Sequence, residues 1–498
     1  ADITNIRNFK RDYPTAKTIF LEQNYRSTQP ILEAAMGVIK ENRDRTAKQL
    51  RSVQGIGAKV TVQELYDERQ EAQFLVTEIN RLHHLKKHAY RDFAVMYRTN
   101  AQSRAVEDGL RQAGIAYAVL GGTGFYERKE IKDALAYLKL VLNPHDDVAV
   151  RRVINTPPRG IGKGVMDALE RIDLSAMDGD LPPLLAGLAE VAATTSLWAK
   201  LDAAVTRGLL PPRQLTPLAA FRDMILEVTA AAATEPTSTV LGLLLDRTGY
   251  LRDLREERSE EADGRIENLM ELVSAAKEYE ATEVEPGLAN FVDRLALLSD
   301  VDKPEGSRQP QALLMTLHSA KGLEFPVVVM AGMEEGLFPH SRSREDEAEL
   351  EEERRLCYVG ITRARRELFL TSAVRRRVFG EYQSTEPSRF LDEIPPDLMR
   401  TEQSRAEAMR AASRGWGYAP NPYANRRPKP PARSFEPEDE DQSGRGGVRA
   451  GAKVRHPMFG AGTVLSVEEL DDDLKVVVRF ATVGQKTLRA KYAKLELA

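Results

Sequence analysis

Residues 312–331 read ALLMTLHSAKGLEFPVVVMA, and two apolar runs within them, 312–317 and 326–331, have the length of β-strands. Short continuous apolar runs are typical of strands that are buried on both faces of a parallel sheet. The segment between the runs is rich in small and hydroxyl-bearing residues, which allow backbone amides to approach a phosphate group. This stretch therefore predicts a parallel sheet with a candidate ligand-binding segment between two of its strands.

The same kind of strand occurs upstream, in alternation with helices. Thr28 and Pro30 suit the start of the first of these helices, and Gly114 suits the end of the last. Alternating strands and helices predict an α/β fold, with a parallel sheet covered by helices on both faces. The predicted strands are 17–23, 60–66, 93–98 and 117–120, and the predicted helices are 29–41, 69–85 and 103–112.

Residues 127–299 break this alternation with a largely helical pattern. The strand pattern then resumes at 312–331, and a further strand is predicted over 367–371. We expect one α/β domain in two parts, 1–138 and 307–400, interrupted by a helical insertion over 139–306. The alternative is three separate domains in series, although the first block has few strands for a complete sheet.

The C-terminal part of the chain divides into a linker and a small β domain. Residues 401–450 are rich in Arg, Pro, Ser and Gly and contain the acidic run 436–441, a composition typical of a disordered linker. Residues 451–498 alternate in the manner of β-structure. Their number suits a small β-barrel of the SH3 or Tudor type.

The composition is that of an ordinary globular protein. Its 71 basic and 75 acidic residues give a net charge of −4, so any groove for nucleic acid must be local. Cys357 is the only cysteine, which excludes an intrachain disulfide and fits a reducing compartment. We expect no membrane span and no signal peptide, and the start at Ala1 indicates a fragment or a processed chain.

Residues 21–28 (LEQNYRST) lie where a predicted strand gives way to a helix, the end of a strand where α/β sheets bind ligands. The ring of Tyr25 could stack on a nucleotide base, and the guanidinium of Arg26 could reach phosphate oxygens in a planar fork. Taken alone, such a pair is more often a salt bridge at the start of a surface helix.

Two further segments carry side chains suited to a nucleotide or to DNA. Within 314–326, His318 could donate to a phosphate and Glu324 could accept from a sugar hydroxyl, although a core-edge histidine and a solvated carboxylate are the plainer interpretations. Within 351–371 a charged helix runs towards a strand. Arg363 at its end could act as an arginine finger, which stabilises charge on a transferring phosphoryl group.

In combination, these segments resemble motifs IV, V and VI of the UvrD/PcrA/Rep-type DNA helicases of superfamily I. The matches are NYRST (24–28), TLHSAKGLEFP with GMEEGLFPH (316–326 and 332–340) and EEERRLCYVGITRA (351–364), in the same order and at similar separations. The resemblance extends from residue 1 to about residue 391, and the predicted barrel resembles the Tudor-like tail of the family. It implies that 1–138 and 307–400 form the second RecA-like motor lobe around a duplex-binding insertion.

The resemblance implies a role for each matching residue at the nucleotide. Tyr25 would stack on adenine, and Glu324 would bind the ribose. Arg26 would touch the γ-phosphate, and Arg363 would be the second arginine finger.

The resemblance also implies two DNA contacts. Thr316 and His318 would contact single-stranded DNA, helped by the segment Arg98, Thr99 and Asn100. The loop Arg159, Gly160, Ile161 and Gly162 would grip duplex phosphates through backbone amides, since glycines expose N–H groups that carry no sequence preference. A plain helix–helix turn is the alternative interpretation of this loop.

A motor of this family needs ATP with Mg²⁺, held by a Walker A loop and an acidic pair. The 498 residues contain no G-x-x-x-x-G-K-[ST] sequence, so we expect this chain alone not to hydrolyse ATP and the Mg²⁺ ligands to lie in an N-terminal RecA-like lobe. The expected partners are that lobe, single-stranded DNA, single-strand/duplex junctions and, through the barrel, a repair protein or RNA polymerase, but no membrane.

For the intact protein, the resemblance implies a cytoplasmic, nucleoid-associated 3′-to-5′ helicase of bacterial type in DNA repair or replication. The competing hypothesis is a catalytically inactive, helicase-derived module that binds DNA and a protein partner. A pure binding module would not need both Arg26 and Arg363, which favours the helicase.

Overall fold

The computed structural model divides the chain into two compact units, Ala1–Tyr418 and Ala419–Ala498. Most of the predicted linker lies outside the residues that the structure describes. These described residues are 8–9, 11–17, 19–43, 49–174, 196–301, 311–344, 346–378, 380–401, 453–456, 460–470, 473–480, 484–489 and 496–497.

A seven-stranded sheet organises the first unit, and every pairing between its neighbouring strands is parallel. Its order is β11-β3-β8-β7-β4-β6-β5. The apolar runs found in the sequence become its central strands, because a strand covered on both faces has no polar side to expose. The strands are β3 (Val60–Leu65), β4 (Phe93–Tyr97), β5 (Tyr117–Val119), β6 (Ala312–Thr316), β7 (Phe325–Met330), β8 (Ala364–Ala373) and β11 (Met399–Thr401).

Helices cover both faces of this sheet, as the sequence predicts. One core cluster packs α1 (Gln29–Lys40) and α13 (Glu347–Ile361) against the sheet, and a second packs α2 (Glu68–Lys86) and α3 (Ser103–Gln112) against the other face. The α/β fold class is therefore confirmed.

Nine helices lie between β5 and β6 in the described part of the chain and share a single hydrophobic core. Because β5 and β6 are hydrogen-bonded neighbours in the same sheet, the helices interrupt one α/β domain, and the alternative of three domains in series is wrong. The helices are α4 (Lys129–Leu142), α5 (Asp147–Val153), α6 (Lys163–Glu170), α7 (Leu197–Arg207), α8 (Pro212–Ala232), α9 (Thr237–Arg247), α10 (Tyr250–Glu257), α11 (Glu260–Thr282) and α12 (Leu288–Val301).

The strand predicted over 17–23 is wrong. The strand here is only β1 (Gln23–Asn24), which pairs with β2 (Arg51–Ser52) and not with the large sheet. Ile19, Phe20 and Leu21 are exposed. A strand needs a hydrogen-bonding neighbour, and within the described residues no strand of the large sheet pairs with this segment.

The described remainder of the first unit follows β8. It comprises the antiparallel hairpin of β9 (Arg375–Val378) with β10 (Glu381–Ser384), and then α14 (Arg389–Asp392). None of the described helices combines the length and the apolar character needed to cross a membrane.

The second unit contains one antiparallel five-stranded sheet in the order β15-β14-β13-β12-β16. Val464 and Val478 face each other on neighbouring strands and are both buried. The prediction of a small β domain is confirmed. Its strands are β12 (Lys453–His456), β13 (Gly460–Leu470), β14 (Asp473–Phe480), β15 (Gly484–Arg489) and β16 (Glu496–Leu497).

Helix α13 packs so closely on the sheet that a Cβ atom at one of its glycines would overlap neighbouring side chains. A Cβ atom at Gly360 would lie 2.5 Å from Cδ2 of Leu317 and 2.9 Å from Cε of Met330. Both neighbours are fully buried, so neither can move away without disturbing the core.

We expect Gly360→Ala to lower the free energy of unfolding of the first unit by about 1–3 kcal/mol, because overpacking forces side chains off their rotamers. Denaturant titration measures the change. The matched control is Gly264→Ala in α11, where a Cβ meets nothing within 4 Å. That control is expected to be neutral or to stabilise by up to about 1 kcal/mol, and equal effects at both positions would contradict the packing argument.

Candidate functional site

Three distant segments of the chain converge at the amino ends of β7 and β8. Nε of Arg26 donates to Oε2 of Glu324 at 2.5 Å, and Nη1 of Arg26 donates to the carbonyl of Thr362 at 3.2 Å. Glu324 immediately precedes β7, and Arg363 immediately precedes β8. We call Tyr25, Arg26, Glu324 and Arg363 the amino-edge cluster.

Backbone hydrogen bonds fix this arrangement. The amide of Phe325 donates to the carbonyl of Arg363 at 2.9 Å, which aligns the starts of the two strands. Oγ of Ser27 donates to the carbonyl of Ala364 at 2.6 Å, and Ser27 is fully buried. The position of Arg26 is therefore set by its neighbour in the chain as well as by its own ion pair.

The guanidinium of Arg363 is half-buried against the end of α13. It donates to the carbonyls of Val359 and Leu323, each at 3.0 Å. Burial lowers the pKa of Arg363, and the positive charge of Arg26 lowers it further. Two guanidinium groups thus lie close together at one exposed edge, an arrangement that suits phosphate oxygens.

Glu324 balances part of this positive charge. Its pKa is lowered, first by the hydrogen bond from Arg26 and also by the charges of Arg26 and Arg365. Its carboxylate is therefore ionised at neutral pH and can accept hydrogen bonds. Tyr25 completes the cluster with a ring that is 66% exposed, and its hydroxyl donates to Gln23 at 2.8 Å.

Residues 21–28 do not lie at the carboxyl end of a strand of the large sheet, and that prediction is wrong. Glu324 and Arg363 precede their strands, so the cluster occupies the amino edge of the sheet. The rule for carboxyl ends describes ligands held by the loops that follow the strands. Here Glu324 and Arg363 lie in the turns that enter β7 and β8.

The carboxyl edge of the same sheet carries the residues predicted to contact DNA. Tyr97 and Thr316 are register partners at the ends of β4 and β6, and the amide of Leu317 donates to the carbonyl of Tyr97 at 2.9 Å. The hydroxyl of Thr316 lies 3.0 Å from that of Ser319. The structure thus brings 97–100 beside 316–319.

The groups at this edge differ in their exposure and in their hydrogen bonds. Asn100 is exposed, and its carbonyl accepts from Arg128 at 3.0 Å. The amide of Thr99 donates to the side chain of Gln102 at 2.9 Å. His318 is exposed overall, but its imidazole is partly buried. This partial burial lowers the pKa of His318, and the positive charge of Arg98 lowers it further.

Arg98 is held by a residue that the sequence analysis did not single out. Its guanidinium donates to both carboxylate oxygens of Glu353, with distances of 2.8 to 3.1 Å. Glu353 is buried on α13 and also accepts the backbone amide of His340 at 3.0 Å. In the sequence it is one glutamate within an acidic run, and only burial distinguishes it from its neighbours.

The loop 159–162 is rigidly built, and only part of it faces outwards. The guanidinium of Arg159 turns inwards to the carbonyls of Val153, Pro157 and Thr248, and Ile161 is buried. The amides of Arg159 and Ile161 both donate to Oδ1 of Asn155, at 2.8 and 3.1 Å.

Two of the four predicted DNA-binding amides are therefore engaged within the loop. Those of Gly160 and Gly162 alternate with them, just before α6, in whose first turn the amides of Val165 and Met166 donate to the carbonyl of Gly162 at 3.0 and 3.1 Å. Gly160 has a φ of +78°, a conformation that favours glycine.

Comparison with known proteins agrees with this architecture. The family model of the UvrD-like helicase C-terminal domain matches residues 19–178 and 228–375, and that of the PcrA/UvrD tudor domain matches residues 450–496. The first match covers more than half of the chain. The protein therefore belongs to the family of the UvrD-like helicase C-terminal domain.

Curated relatives match along the whole chain. The ATP-dependent DNA helicase PcrA of Bacillus subtilis is 40% identical over 503 residues, covering 100% of this chain and 64% of the relative. The protein of the same name from Leuconostoc citreum is 37% identical over 514 residues, covering 100% of this chain and 65% of the relative. The chain thus spans about two thirds of the length of these relatives, slightly less in each case.

The electrostatics of the carboxyl edge can be tested through His318. We expect its pKa to lie below the ordinary value of 6.5 and to rise in Arg98→Gln, because that change removes a positive charge and leaves Glu353 without its partner. NMR titration of the histidine ring protons measures it. Arg26→Gln, at the opposite edge, should leave the pKa of His318 unchanged, and a shift of equal size there would contradict the assignment.

Proposed function

We propose that this chain supplies the second RecA-like lobe, the helical insertion and the tudor tail of an ATP-dependent 3′-to-5′ DNA helicase acting in DNA repair or replication. The proposed domains are 1–138 with 307–400, 139–306, and 451–498 after a linker at 401–450. The observation that carries the proposal is the convergence of Arg26 with Glu324 and Arg363, which follow it in the chain by 298 and 337 residues, at one edge of the sheet.

At the amino edge, each side chain has chemistry that suits one part of ATP. Arg26 and Arg363 present guanidinium forks to phosphate oxygens, Glu324 presents an ionised carboxylate to ribose hydroxyls, and the exposed ring of Tyr25 offers a stacking face for adenine. The set is cationic and suits phosphate rather than a metal. Mg²⁺ ligands are proposed to lie in the partner lobe, since the described residues hold no cluster of metal-binding side chains.

At the carboxyl edge, Arg98, Thr99, Asn100, Thr316 and His318 are proposed to bind single-stranded DNA. Hydroxyl, amide and imidazole groups at the ends of adjacent strands can donate to successive phosphates without reading the bases. The loop 159–162 is proposed to hold the duplex ahead of the junction. There Gly160 and Gly162 offer backbone amides, whereas Arg159 and Ile161 brace the loop.

One segment that connects the two edges lies between β6 and β7. Residues 317–324 leave the carboxyl end of β6 and reach the amino end of β7, so they begin beside the DNA edge and end in the amino-edge cluster. Closure of a first lobe over bound ATP would engage Arg26 and Arg363 with the γ-phosphate, and hydrolysis would release that contact. Alternation between the two states would shift the DNA edge along one strand.

The C-terminal tudor domain is the basis for the remaining proposed partners, which are proteins. The tudor domain is proposed to recruit a protein such as a repair factor or RNA polymerase, because small barrels of this kind present open strands and loops for docking. The proposed setting is the bacterial cytoplasm, in association with the nucleoid.

DNA-stimulated ATP hydrolysis tests the proposal directly. We expect none from this chain alone and clear activity when a separately produced first lobe is added. Arg363→Ala should lower the rate in that mixture by about 10³- to 10⁵-fold, because a finger stabilises charge that develops on the transferring phosphoryl group. The control is Arg213→Ala, an exposed arginine of α8. Retained DNA binding with no activity on mixing would instead support the inactive binding module.

The loop is tested separately on DNA. Gly160→Ala strains a positive φ and disturbs the amides presented to phosphates, so affinity for a single-strand/duplex junction should fall while affinity for a single strand is kept. Fluorescence anisotropy measures both affinities. Gly208→Ala is the matched control, since it too has a positive φ and open space around its Cβ position. An equal loss of junction binding in both variants would overturn the assignment.

A further inference from the structure

The geometry points to Glu353 as the positioning residue of the DNA edge. It holds Arg98 in one orientation, masks its charge, and ties it to the helix that leads into Arg363. The inference rests on the proposed function and adds to it a group that touches neither nucleotide nor DNA.

Glu353 accepts hydrogen bonds from two other segments of the chain. Its two oxygens receive three hydrogen bonds from the guanidinium of Arg98, and one of them also receives the amide of His340. The side chain of Glu353 is 7% exposed and that of Arg98 is 21% exposed. A bidentate pair shielded in this way keeps both geometry and strength better than a pair at the open surface.

The pairing changes what Arg98 offers to DNA. With Nε and Nη2 directed to Glu353, the guanidinium has a fixed plane, and its charge is balanced by a carboxylate about 3 Å away. Phosphates approaching the DNA edge therefore meet oriented N–H groups rather than an unbalanced cation. The Arg98–Glu353 pair therefore fixes the direction of the N–H groups of Arg98 and weakens its general electrostatic attraction for phosphates.

The position of Glu353 along α13 connects this edge to the other. Glu353 lies nine residues before Thr362, the C-cap of the helix, which corresponds to about 14 Å at the usual rise per residue. Arg363 follows directly, and α13 is fixed against the sheet by the contact of Gly360 with Leu317 and Met330. A displacement of Arg98 by DNA is thereby transmitted to the same rigid helix that positions the finger.

Glu353→Gln tests the masking of charge. It keeps the shape of the side chain and removes its charge, so Arg98 gains an unbalanced positive charge. We expect tighter binding of a labelled oligothymidylate at low salt, and a plot of log affinity against log salt that is steeper by about 0.7, the contribution of one neutralised phosphate of a single strand. Between 50 and 200 mM salt this slope alone corresponds to about a 2.6-fold change.

Two controls isolate this effect. Glu352→Gln removes the same charge from the adjacent residue, whose side chain is 54% exposed and pairs with Arg355, and it should leave the slope unchanged. Glu353→Asp keeps the charge and should retain the parental slope. In an Arg98→Gln background, Glu353→Gln should have no further effect, since the two residues act as a pair.

The positioning role has its own measurement, made with the first lobe added. Glu353→Gln should bind DNA more tightly and yet show lower maximal stimulation of ATP hydrolysis, whereas general structural damage would weaken both. Arg98→Lys provides a second variant, because it keeps the charge and loses the bidentate fork. It should lower the stimulation with the salt slope unchanged.

Three results would overturn the inference. One is a salt slope for Glu353→Gln equal to that of the parent or of Glu352→Gln. Another is full stimulation in both Glu353→Gln and Arg98→Lys. Absence of single-strand binding by the parent chain would remove the DNA edge itself, and the inference with it. The rate of ATP hydrolysis by the mixture that contains Arg363→Ala tests the nucleotide-binding part of the proposed function separately.

Discussion

The parallel pairing of β7 with β8 is the constraint on which the amino-edge cluster depends. Because the strands run in the same direction, the residues that enter them lie at the same edge, and the bond from Phe325 to the carbonyl of Arg363 fixes their offset. Arg26 then joins from a third segment through Glu324. The result is a cluster of two arginines and one carboxylate that balances part of their charge. None of these segments alone could form the strand pairing or the charge balance.

The helical insertion is held to the sheet domain by buried polar groups. Arg104 of α3 is buried and donates to Glu271 of α11 at 2.6 Å, and it lies 3.0 Å from Glu278 of the same helix. Arg128 donates to Asn268 at 2.7 Å. Buried ions are costly to desolvate and are stable only with their partners in place, so these contacts specify one orientation of the insertion more than they add stability. A swivel of the insertion would have to replace them.

The candidate nucleotide and DNA edges lie at opposite edges of the same parallel sheet, at different strands, so the elements that connect them matter. The segment 317–324 and helix α13 both run from the carboxyl edge towards the amino edge, and Gly360 lets them touch. A close-packed core resists bending. A displacement is therefore transmitted mainly when whole helices or strands move. The close approach at Gly360 is therefore part of the connection between the edges.

Much of this protein is determined by local pattern. Apolar runs such as 326–331 specify buried strands, and Pro30 and Gly114 mark helix ends within a residue or two, because burial and backbone conformation act over short distances. Motif resemblance identified Arg26, Glu324 and Arg363, although not that they meet at the amino edge. The absence of the strand predicted over 17–23, the inward turn of Arg159 and the contacts of Glu353 were decided by tertiary structure alone. Each depends on a partner far away in the chain, and local sequence carries no record of which distant group will supply it.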